Sequence, residues 1–139
     1  MDVFETACEE ETAAIAARIA NAAKRGDVFL LDGNLGAGKS VFARAFIRSL
    51  CGAETEVPSP TFTLVQTYDF PKGMIWHFDL YRLQHPEEVF ELGWEEALSE
   101  GVAIIEWPVR AGPYLPKSAT HINIETLQGN RRKVTIDEQ

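Results

Sequence analysis

The stretch "FLLDGNLGAGKSVFARAF", Phe29 to Phe46, decides the fold. "VFLLD" (Val28 to Asp32) is an unbroken apolar run closed by an acid, the pattern of a strand buried on both faces. Gly33-Asn34-Leu35-Gly36-Ala37-Gly38-Lys39-Ser40 then fits the spacing G-x-x-x-x-G-K-[ST]. Glycines let the backbone turn so that successive N–H groups converge on an anion and approach it closely. The helix expected from Val41 to Leu50 presents its positive end to the same point. Lys39 would set its ammonium between the β- and γ-phosphates, and the Ser40 hydroxyl would face Mg²⁺. Strand, glycine loop and helix follow each other without a gap, which is the context this pattern requires. The stretch predicts a nucleotide site.

Working outward, a carboxylate for the metal should come from the end of a neighbouring buried strand. "VAIIE" ends in Glu106 and "MIWHFD" ends in Asp79. Spacing leaves both acids open, and it leaves Asp79 the simpler role of a surface partner for Arg82. "PSPTFT" (Pro58 to Thr63) is stiffened by two prolines and carries hydroxyls on Ser59 and Thr61. It is read either as a rigid strand entry or as a segment that senses the γ-phosphate. Trp107 is read as core, rim or partner surface, with core the default, and His77 as a structural residue rather than a base. Arg82 and Arg110 are the arginines available to act over the phosphates.

The remaining segments predict what surrounds the loop. Glu10 to Lys24 has the apolar spacing of an amphipathic helix, with acids at its start, Lys24-Arg25 at its end and Gly26 as its stop. "TFTLVQTYDF" and "MIWHFDLYR" are read as antiparallel strands around "PKG". "HPEEVFELGWEEALSE" predicts one or two short helices broken at Gly93, and "GVAIIEWP" a buried strand stopped by Pro108. "THINIETLQGNRRKVTI" alternates as a terminal hairpin. The expected architecture is a three-layer α/β fold: a P-loop NTPase-like sheet, mixed parallel and antiparallel, flanked by helices. A length of 139 residues suits a single domain over 1–139.

Composition narrows the partners. Thirteen Lys and Arg against twenty-one Asp and Glu leave a net charge of −8. A field of that sign opposes independent binding to a nucleic-acid backbone. The one tight basic cluster, Arg131-Arg132-Lys133, falls in the hairpin. No apolar run approaches the ~20 residues of a membrane span. The start is acidic and unlike a secretory signal, so Cys8 and Cys51 are read as free thiols of a cytoplasmic protein.

Together "GNLGAGKS", "PSPTFTLV", "HFDLYRL", "ELGWEE" and "IEWP", in this order, resemble the TsaE (YjeE) family over about Glu9 to Val134. The resemblance implies an ATPase that binds ATP or ADP with Mg²⁺ and turns over slowly alone. It implies hydrolysis within a complex with TsaD and TsaB, which threonylcarbamoylates the adenosine beside the anticodon in tRNAs reading codons that begin with A. Contact with tRNA would be indirect. By motif, Gly36, Ala37, Gly38, Lys39, Ser40 and Val41 would wrap the phosphates, behind Gly33. Ser40 and Glu106 would hold Mg²⁺, Thr61 and Asp79 would complete the active site, and Trp107 would lie beside it. Glu9 and Thr12 would border the adenine. Two positions depart from the family pattern: Asn34 stands in place of Asp, and Val41 in place of a second Thr. Rival readings are a small-molecule kinase sharing the cradle and a nucleotide-gated binding module. No arginine-rich lid occurs between Glu87 and Glu100, as a kinase would need.

Overall fold

The computed structural model describes residues 1–34 and 36–138; Leu35, inside the glycine loop, lies outside the described residues. Seven strands form one sheet: β1 (Asp2–Thr6), β2 (Val28–Asp32), β3 (Val65–Phe70), β4 (Gly73–Asp79), β5 (Val102–Glu106), β6 (Thr120–Thr126) and β7 (Arg132–Glu138). Their order across the sheet is β1-β7-β6-β2-β5-β4-β3. The pairs β6–β2, β2–β5 and β5–β4 are parallel. Antiparallel strands close both sides, β7 and then β1 on one and β3 on the other.

Alternation along β2 divides the core. Phe29 and Leu31 face a cluster built with α1 (Glu9–Ala22) and α2 (Lys39–Cys51), while Val28 and Leu30 face a cluster with α3 (Trp94–Glu100). Small residues Ala16, Ala20 and Ala43 are fully buried on the first face, and let the helices approach closely beside Phe42 and Phe46. Each fully buried Phe or Leu contributes on the order of 2 kcal/mol by leaving water. The second face is covered by α3 and two 3₁₀ segments, Pro86–Leu92 and Pro108–Tyr114. Glu88 accepts the His85 and Gln84 N–H groups and so starts the first of these. Gly93, at φ +82°, separates it from α3, and a Cβ there would stand 2.7 Å from the Trp76 ring. The expected three-layer α/β sheet is the observed one.

Boundaries differ from the expectation at the end of α1 and at the start of β3. Helix α1 ends at Ala22, two residues early, because Ala23 is already extended and the Lys24 N–H turns to Asp27 Oδ2 at 2.8 Å. Gly26 is not the stop. Its N–H bonds Gly101 O at 2.7 Å, which ties the turn into β2 to the start of β5. Strand β3 begins at Val65 rather than Thr61, since Leu64 takes φ +70° and bonds back to Pro60 O. The residues 61–64 thus form a tight turn, and Asp79 N–H closes it on Leu64 O. Two further elements have no counterpart in the sequence pattern: β1, and the 3₁₀ segment after Trp107.

Candidate functional site

The parallel register brings the site together. Leu31 of β2 pairs with Glu106 of β5, and Glu106 pairs with Asp79 of β4. Both acids therefore sit at the carboxyl ends of adjacent parallel strands, beside the strand that launches the glycine loop. Ligands bind at this edge in open α/β sheets. A cavity of about 320 Å³ opens there, lined by Gly36, Gly38, Lys39, Ser40, Val41, Thr61, Asp79, Glu106 and Trp107. Cys8, Glu9, Thr12, Ser59, Asn130 and Arg132 complete its wall. A concavity of about 430 Å³ lies elsewhere, against the opening residues of β2 and β6, at the far edge from Lys39.

The loop is wound as an anion cradle. Gly36 and Gly38 take φ +83° and +110°, and the Ala37 N–H closes the turn on Asn34 O at 3.0 Å. Left-handed glycines beside a helix start aim backbone N–H groups into a common concavity. Helix α2 opens directly from Gly38 with no side-chain cap, so its first N–H groups remain available to a ligand. Gly33 and Ala37 do not line this cavity. Gly33 lines a neighbouring concavity with Asp32 and Asn34, and Ala37 is buried under the loop.

Lys39 is the electrostatic centre. It is only 6% exposed, yet among the described residues its Nζ meets no hydrogen-bond acceptor. The ammonium rests 3.7 Å from the centre of the Trp107 ring. Burial pulls its pKa below the ordinary lysine value, and the carboxylates of Glu106, Asp79 and Asp32 pull it back up. Burial in turn raises Asp32, against the opposing pull of His121 and Lys39. A buried ammonium without an acceptor is costly unless an anion satisfies it. Trp107 is half-buried and packs against the second core cluster, takes φ +57° at the end of β5, lies tilted against Tyr81 and offers its ring face to Lys39.

The carboxylates are held by different partners. His77 Nε2 donates to Glu106 Oε2 at 2.6 Å, with both side chains buried. His77 thus orients Glu106, while its own buried Nδ1 meets no partner among the described residues. Asp79 accepts from Thr61 Oγ1 at 2.9 Å and from the Tyr81 N–H at 3.0 Å. It is not a surface partner of Arg82, which lies over the Phe62 ring at 4.4 Å. The Ser59 hydroxyl stands 2.7 Å from that of Thr61, so the Pro-rich segment reaches Asp79 through two hydroxyls. Phe62, next to Thr61, is 80% exposed. Thr12 is buried with its hydroxyl 2.8 Å from that of Thr6, while Glu9 stands exposed at the rim.

Hydroxyl and carboxylate oxygens of Ser40, Thr61, Asp79 and Glu106 form a hard donor set, suited to Mg²⁺. The orphaned Lys39 ammonium and the glycine amides fit a polyphosphate. These residues accordingly fit a magnesium nucleotide. Neither Arg82 nor Arg110 lines the cavity; Arg110 lies 6.0 Å from the Tyr81 ring. The arginine at the cavity is Arg132, whose Nε donates to Ala37 O at 2.8 Å. Its position in the basic cluster just after the "QGN" turn was the available signal.

Comparison with known proteins agrees with this geometry. A family model described as "Threonylcarbamoyl adenosine biosynthesis protein TsaE" matches residues 6–134. The tRNA threonylcarbamoyladenosine biosynthesis protein TsaE of Rickettsia conorii is 44% identical over 128 residues, which cover 92% of this chain and 73% of that protein. The protein of the same description from Bacillus subtilis is 37% identical over 134 residues, 96% of this chain and 83% of that one. The crystal structure of Bacillus subtilis YdiB superposes with a TM-score of 0.77 at 32% identity, covering 97% of this chain and 83% of YdiB.

Proposed function

The chain belongs to the TsaE family, and from that premise we propose that it is a partner-activated ATPase of tRNA threonylcarbamoyladenosine biosynthesis. It works as a single cytoplasmic domain over 1–139, with TsaD and TsaB, on tRNAs reading codons that begin with A. The observation that carries the ATP-binding half of this reading is the buried Lys39 ammonium, which meets no acceptor among the described residues and lies beside a glycine loop and three carboxylates. A triphosphate supplies the missing acceptor.

Each group then has a role. The amides from Gly36 to Val41 bind phosphate oxygens, and Lys39 leaves Trp107 to neutralise the β- and γ-phosphates. Ser40 and Glu106 would hold Mg²⁺, with Asp79 near it through Thr61. Bound there, Mg²⁺ supplies charge neutralisation at the phosphate oxygens. His77 keeps Glu106 pointed at the cavity. Glu9 and Thr12 border the base. Thr61 links the Asp79 carboxylate to the exposed Phe62, so a change at the phosphates reaches a surface that a partner can touch. The net charge of −8 supports leaving tRNA contacts to the partners.

Arg82 and Arg110 stand away from the cavity, and Arg132 is tied to the outer carbonyls of the loop. Hydrolysis by the isolated chain should therefore be slow. Adding TsaB and TsaD should raise it at least about tenfold, since an arginine supplied by a partner is worth far more than that in related phosphoryl transfers. ADP release followed by a coupled assay measures both states. Several turnovers per second by the isolated protein, or a rate that rises with a metabolite acceptor instead of the partners, would overturn the reading.

A further inference from the structure

Arg132 lines the cavity and has no part in the function proposed above. It belongs to β7, yet its guanidinium crosses to the glycine loop. Nε donates to Ala37 O at 2.8 Å and Nη2 to Gly36 O at 3.5 Å. Nη1 donates to Arg131 O at 2.9 Å and Gly129 O at 3.3 Å, back on its own hairpin. None of the ion pairs among the described residues involves it, whereas its neighbour Arg131 pairs with Glu5 at 3.5 Å. The fork bridges two backbone segments through their carbonyls.

The consequence follows from peptide geometry. Ala37 O and the Gly38 N–H belong to one planar trans unit, so they point in opposite directions. Holding the carbonyl therefore also fixes the direction of the Gly38 N–H, at a residue that lines the cavity. A cation at the carbonyl also polarises the unit and makes its N–H a stronger donor. Gly38 cannot fix this orientation alone, because glycine is conformationally free. The adjoining unit is fixed twice, by Arg132 on Gly36 O and by the Ala37 N–H bond to Asn34 O.

We propose that Arg132 is a positioning residue of the phosphate site, aiming the Ala37–Gly38 peptide at the polyphosphate of a nucleoside di- or triphosphate. The proposal rests on the nucleotide reading of the cavity. It also gives the hairpin a function, since β6 and β7 then carry the outer support of the loop, 95 residues along the chain from Ala37.

Calorimetric titration with ADP and magnesium tests it on the full chain, alongside the amide resonance of Gly38 in ¹⁵N-glycine-labelled protein. Arg132→Ala should weaken ADP about tenfold, as expected for loss of a charged hydrogen bond. The ADP-induced shift of the Gly38 amide should shrink with it. Arg132→Lys should fall between, keeping the charge without the fork, and Arg131→Ala should bind as wild type does. Wild-type affinity and an unchanged Gly38 shift in Arg132→Ala would overturn the proposal, as would an equal loss in Arg131→Ala. Should Arg132→Ala fail to fold, Arg132→Lys decides alone, and wild-type affinity there overturns it. Absence of ADP binding by the wild-type chain is a different result, and it removes the nucleotide reading itself.

Discussion

Lys39→Ala is expected to lower partner-stimulated ATP hydrolysis by about 10²–10³-fold, the scale of losing a preorganised group that meets developing charge. The same variant should melt close to the wild type. In the folded chain the ammonium is 6% exposed and meets a ring rather than an acceptor. Its contact with Trp107 is worth on the order of 1–2 kcal/mol. Against that stands the desolvation of a buried cation, a cost of several kcal/mol. Three nearby carboxylates offset part of it. Removing the side chain thus relieves about as much as it loses, and the whole effect should fall on function.

The sign of the pH dependence separates this account from a stabilising role. Because the folded pKa of Lys39 lies below 10.5, the unfolded chain binds more protons in the interval between the two values. Stability contributed at this position must rise as pH climbs through that interval. The wild type should gain on Lys39→Ala there, in urea titrations at successive alkaline pH values. A wild type that loses ground as pH rises would mean that the ammonium stabilises the fold, contrary to its surroundings.

The second large effect is on the fold. Gly33→Ala should destabilise the protein by about 3 kcal/mol, the range expected where a side chain is forced against fixed neighbours. A Cβ at Gly33 would stand 2.6 Å from Ile124 O and 3.4 Å from the Ala37 Cβ. The first of these belongs to the backbone of β6, paired with β2 through Asp32 and Asn123, so neither strand can retreat cheaply. Gly36→Ala is the matched control. Its φ of +83° is also left-handed, but nothing lies within 4 Å of the added carbon. It should cost only the ~1–2 kcal/mol of the left-handed conformation. Denaturant unfolding of both variants gives the comparison. Equal losses would show that conformation, not contact with β6, governs Gly33.

These contrasts also mark what was legible in the sequence. The run from Val28 to Cys51 could be read almost residue by residue, because an apolar strand, positive-φ glycines and an amphipathic helix each leave a local signature. Strand β1 left none. It is an edge strand, mostly exposed and acidic, and its order comes from pairing with β7. Asp79 and Glu106 were both legible as strand-ending acids. Their inequality was not, since His77 and Thr61 reach them through strand register and through the turn at Leu64. Trp107 read as core because aromatic residues after buried strands usually are. It does pack on the second core cluster, and its left-handed backbone at the sheet edge also brings its ring face to Lys39. Arg132 was visible only as charge, because what it holds lies in a distant segment.

The cation resting on Trp107 makes the chain its own optical gauge of occupancy. Indole emission responds to a positive charge held against the ring, so departure of the Lys39 ammonium toward a phosphate should alter the signal of that one fluorophore. Trp76 and Trp94 pack against Phe78 and supply a steady background. Titration with unlabelled nucleotide, followed by tryptophan emission, would then report filling of the cradle without dye or tag.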